Sequence, residues 1–109
     1  MGKNRVIKIL GGIIGGLVAH KILLRYTNRP ESLSHLQSEV DNYRENALEM
    51  AAEFNWNADD KNRIKKEALK NLRSELDEPH FRDVQFSIKA IKAMKEAERL
   101  VAETLDDVI

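Results

Sequence analysis

The residues that could do chemistry in this 109-residue chain are three histidines and three adjacent acid pairs, with no cysteine at all. The missing cysteines remove disulfides, thiolate nucleophiles and thiolate metal sites. His20, His35 and His80 never share the i, i+4 spacing of a helical zinc site, and no pair of Glu-x-x-His motifs is present for a di-iron bundle. Ser34 and His35 are neighbours on one helix, so their side chains point apart and cannot act as nucleophile and base. The pairs Asp59-Asp60, Asp77-Glu78 and Asp106-Asp107 fall near predicted helix ends, where capping and solvation account for them. The glycines lie in an apolar stretch with no Lys-Ser/Thr after it, which excludes a phosphate loop. The expectation is a protein that is not an enzyme, with no metal, no cofactor and no small-molecule substrate.

The elements that would hold these residues are divided by charge. Lysine plus arginine number 18 and aspartate plus glutamate 18, a formal net charge of zero. That balance hides a sorting. Lys3, Arg5, Lys8, Lys21, Arg25 and Arg29 stand in residues 1–29 without a single acid, and residues 30–109 carry a net charge of −6. Glycine divides the chain in the same region, because all five glycines fall within the first sixteen residues. The rest has little provision for positive-φ turns, which makes an all-β or doubly wound fold improbable and predicts an all-α protein. Two units follow: residues 1–29 as a basic, glycine-containing anchor helix, and residues 30–109 as an acidic helical domain.

Residues 6–24 are mostly apolar, interrupted by Lys8, His20, Lys21 and four glycines. A helix of that length is about 28 Å long, close to the ~30 Å thickness of a bilayer core. The uninterrupted uncharged run, residues 9–19, is short for a span, so an interfacial helix is the competing reading, followed by a cleaved signal peptide or a buried helix of a soluble protein. Gly11 with Gly15, and Gly12 with Gly16, form small-xxx-small pairs that would let another helix approach closely in a bilayer. Lys3, Arg5, Lys8, Lys21, Arg25 and Arg29 would meet lipid headgroups. Basic residues are equal in number on the two sides of the span, and the absence of secretory features favours a single-pass protein whose helical domain faces the cytosol.

Asn28, Pro30 and Glu31 read as a helix start. Leu33, Leu36, Val40, Tyr43, Ala47, Met50 and Phe54 then follow at spacings of three and four, a heptad seam. Asn57 with Asp59 and Asp60 starts a second helix, whose stripe of Ile64, Ala68, Leu69, Leu72 and Leu76 runs among six basic residues. Pro79 stops it, and a third helix continues to Val108. Short connections make successive helices antiparallel, so residues 30–109 are predicted to form a three-helix bundle with Trp56 and Phe81 closing its ends. The last turns of the long third helix should overhang, leaving Asp106 and Asp107 to fray or dock on a basic partner.

The expected function is a non-enzymatic, membrane-anchored interaction, scaffold or assembly module. Its partners would be a lipid membrane and a protein, with a second copy of the chain as an option through the heptad seam. One alternative is an accessory subunit packed by its glycine face within a larger membrane complex. Another is a small soluble nucleic-acid binder, disfavoured by interleaved acids, by the net charge of −6 and by aromatics that lie mainly at helix ends or seam positions, so no nucleic acid is expected.

Overall fold

The computed structural model describes residues 2–26, 30–76 and 94–109. Within them lie α1 (Lys3–Tyr26), a 3-10 turn (Pro30–Ser32), α2 (Leu33–Ala51), α3 (Ala58–Leu76) and α4 (Met94–Val108). The expected features at Asn28, Arg29, Pro79, His80 and Phe81, and the start of the third bundle helix, lie outside the described residues. Those that are described form an all-helical bundle, as predicted.

Local chemistry sets the helix ends. Pro30 opens the 3-10 turn, where a missing N–H costs no helical bond. α3 begins on a reciprocal cap: the Asp60 N–H donates to Asn57 Oδ1 at 2.8 Å, and the Asn57 N–H donates to Asp60 Oδ2 at 3.2 Å. Two donors that a helix start leaves orphaned are satisfied, and a carboxylate stands at the positive end of the dipole. At the end of α2 the Trp56 indole N–H donates to the Ala51 carbonyl at 2.8 Å, satisfying an acceptor the helix cannot reach. Trp56 also lies 5.6 Å from the Phe54 ring, so the turn closes this end of the bundle.

Where the sequence predicts an anchor set apart from a self-sufficient three-helix bundle, α1 is instead buried among α2, α3 and α4. It supplies nine of the twenty buried hydrophobic residues described, among them Ile7, Leu10, Ile14, Leu17 and Val18. The physical reason lies in the faces turned toward it. α2 buries only Val40, Ala47 and Ala51, and α3 offers Ile64, Ala68, Leu72 and Leu76, stripes too narrow and too rich in alanine to fill a core between themselves. At roughly 1.5–3 kcal/mol for each large apolar side chain taken out of water, α1 is the largest apolar contributor described.

Contacts along α1 fix the directions. Lys3 meets Asp60, Gly11 meets Ile64 and Ala68, and Gly15 meets Ala68 and Leu72, so α1 and α3 run parallel. Lys3 reaches the Asn55 carbonyl while His20 reaches Tyr43, so α1 and α2 run antiparallel. α4 does not overhang. Leu105 and Val108 are buried, and Arg44 holds Asp107 at 2.8 Å, which corrects the expectation of a frayed end. The seam of α2 is turned inward at Val40 and Ala47, half-buried at Leu36, Tyr43 and Met50, and exposed at Leu33. Phe54 lies beyond the helix end, and Ala51 takes the core position the seam would have given it.

Candidate functional site

The feature with the strongest chemical character is α1 itself. Lys3–Arg25 is long and apolar enough to cross a membrane, alone in this among the described residues, and 67% of its most apolar window is buried inside the bundle. The same composition suits a core helix or a signal sequence, so its surroundings matter.

The four glycines of α1 have different neighbours. A Cβ at Gly11 would overlap the Glu67 Cβ and stand 3.2 Å from the Ala68 nitrogen and the Ile64 oxygen. At Gly15 it would come within 2.7 Å of the Asn71 Cβ and 2.8 Å of the Ala68 oxygen. Both positions need glycine because the backbone of α3 passes too close for any side chain. Gly16 faces the Tyr43 ring, whose Cε1 would lie 2.9 Å from an added Cβ. Gly12 meets nothing nearer than the Asn71 side chain at 3.7 Å, an ordinary contact. The small-xxx-small face predicted for a membrane partner is occupied here by the chain's own α3 and α2. A mid-helix glycine costs about 1 kcal/mol against alanine in water, and at Gly11 and Gly15 close approach to α3 is what offsets that cost.

The basic residues expected at headgroups divide as well. The Lys3 ammonium pairs with the buried carboxylate of Asp60 at 2.5 Å, donates to the Asn55 carbonyl at 2.9 Å, and stands 5.5 Å from the Trp56 ring centroid. The hydrogen bond from Lys3, with the Asn57 N–H and the charge of Arg63, holds the Asp60 carboxyl below the usual range against the cost of burial. Arg5, Lys8 and Arg25 are exposed. Lys21 is half-buried and donates to the buried Thr104 hydroxyl at 3.3 Å. Sequence alone gives no sign of Asp60 or Thr104 as partners, since each lies more than fifty residues from its lysine.

Of the remaining polar groups, His20 and Tyr43 are engaged in packing. His20 Nδ1 lies 2.8 Å from the Gly16 carbonyl, with its ring 4.8 Å from that of Tyr43. Burial, and then the charges of Glu75 and Glu39, push the Tyr43 phenol upward. His35 is exposed beside Glu39. A cavity of about 200 Å³ opens between α1 and α4, walled in part by Val18, Ile22 and Leu100. Its acids Glu96 and Glu103 are both held by Arg99, at 2.7 and 3.0 Å. Among the described residues no three His, Asp or Glu side chains gather as a metal site. No family model matches the chain, and no curated protein or solved structure is similar to it.

Proposed function

We propose that this protein is a non-enzymatic helical module that works at a membrane, with α1 passing between the core of the bundle and the bilayer and the bundle serving a protein partner. The observation that carries the reading is that one helix has both qualifications. It is long and apolar enough to span, and it is buried among three amphipathic helices. A helix in lipid cannot also fill the bundle core, so the two placements are alternative states of one chain. Its ends suit both states. Lys3 leaves Asp60 for headgroups at one end, and Lys21 and Arg25 reach headgroups at the other. Release of α1 would uncover Ala47, Ile64, Ala68 and Leu72, a surface for a protein partner or a second copy. Single-pass placement with the bundle on the cytosolic side remains part of this proposal, as does assembly within a larger complex through the freed glycine face.

A second reading is favoured by the Gly11 and Gly15 contacts and by the Lys3–Asp60 pair, all of which match α1 to its own bundle. Here α1 stays in place and the protein is a self-contained helical interaction module. Flotation of the full chain with phosphatidylcholine vesicles separates the two. The first reading requires protein in the floating fraction that resists alkaline carbonate. Protein that stays wholly in the dense fraction leaves only the second.

A further inference from the structure

Three of the four acids of α3 lie on the side turned toward the bundle, and Asp59 is the exposed exception. Asp60 is buried against Lys3, the Glu67 Cβ lies beneath Gly11, and Glu75 is half-buried, close enough to act on the Tyr43 phenol. Arg63, Lys66, Lys70 and Arg73 are exposed. They recur at spacings of three, four and three, the period that aligns residues along one side of a helix, opposite the buried Ile64, Ala68 and Leu72. Among the described residues, no carboxylate pairs with Lys66 or Lys70, and Arg63 acts on Asp60 through its charge without an ion-pair contact. Among the described residues, Asp59 and Glu98 stand beside this row and line a shallow hollow with Arg63, Lys65 and Lys66. A domain of net charge −6 thus presents a row of cations about 15 Å long on its outer face.

We infer that this row docks the bundle on anionic lipid headgroups, an inference that rests on the membrane reading above. A straight row of flexible cations fits a flat layer of phosphates and carboxylates, which asks for charge and no fixed geometry. The row holds no aromatic residue on which a base could stack, which sets a single-stranded nucleic acid aside. Arg5 and Lys8 of α1, also exposed, stand toward the same end of the molecule as the start of α3, because Lys3 is tied to Asp60.

The experiment is sedimentation of the full chain with phosphatidylcholine vesicles, with and without phosphatidylserine. Binding should rise on the phosphatidylserine vesicles and fall as salt is added. Each basic residue near an anionic surface strengthens binding about five-fold, so Lys66→Gln with Lys70→Gln should reduce the phosphatidylserine excess about 25-fold. Both side chains are exposed, and an unchanged circular dichroism spectrum would show that the variant folds. Equal binding to the two vesicles, or an excess that survives both substitutions, overturns the inference. So does a DNA or RNA duplex that binds more tightly than the vesicles and loses that binding in the same variant. Binding to pure phosphatidylcholine reports α1 instead, so it can fail while the phosphatidylserine excess remains.

Discussion

Gly15 of α1 lies against Asn71 of α3 so closely that a Cβ at Gly15 would come within 2.7 Å of the Asn71 Cβ. One turn earlier Gly11 stands in the same relation to Glu67, so the two helices share a parallel seam with no side chain on one side of it. That seam makes α1 part of the bundle in water, and several consequences can be measured.

Alanine substitutions at the glycines should differ in sign. Gly12→Ala adds a methyl where 3.7 Å is free, and removing a mid-helix glycine should stabilise the chain by about 0.5–1 kcal/mol. Gly11→Ala and Gly15→Ala gain the same propensity but drive a methyl into α3, an overpacking cost of roughly 1–3 kcal/mol that should win. Urea unfolding of the full chain without lipid reads the difference. Three equal shifts would mean that α1 does not pack on α3 as described.

Acid should weaken the bundle through Asp60 and Asp107. Lys3 and Arg44, respectively, hydrogen-bond these carboxylates and hold them below their ordinary range. A carboxyl depressed in the folded state adds stability above its unfolded value, about 3.9, and loses it as pH falls through the folded value. The melting temperature should therefore drop below about pH 4, and Asp60→Asn should flatten that drop. Parallel profiles for wild type and variant would show that the Lys3 contact contributes nothing.

Trp56 is the single tryptophan and is half-buried over the end of α2. Trp56→Ala should cost about 1–3 kcal/mol, less than a fully buried tryptophan, because part of the ring is already in water. Trp56→Phe should recover the packing but leave the Ala51 carbonyl without its donor. Chemical denaturation followed by circular dichroism orders the three proteins, and a Phe variant no better than Ala would place the hydrogen bond above the ring.

Much of the fold is legible in the sequence. Glycine ends at Gly16, which points to helices; Asn57 and the acids after it mark the start of α3, and the heptad spacing finds Val40 and Ala47. What is not legible is which helix receives the glycine face. A small-xxx-small pattern states that some backbone approaches closely, and the same pattern serves a bilayer partner and the chain's own α3. The partners of Lys3 and Arg44 are hidden for a related reason: Asp60 and Asp107 come near only through packing of distant segments. Asp60 in particular reads as an ordinary helix-start acid until α1 is laid beside it.

The exchange of α1 between bundle and bilayer is tested most directly by tying it down. The chain has no cysteine, so Gly15→Cys with Asn71→Cys introduces a single possible disulfide between α1 and α3. The 2.7 Å Cβ separation is shorter than the roughly 3.5–4.5 Å a disulfide prefers, so the helices must part by about an ångström to accept it. Mass spectrometry confirms the bond, and flotation with phosphatidylcholine vesicles then compares the oxidised and reduced protein. The account predicts that reduced protein floats and oxidised protein does not. Oxidised protein that floats as fully as reduced, or reduced protein that never floats, would contradict it.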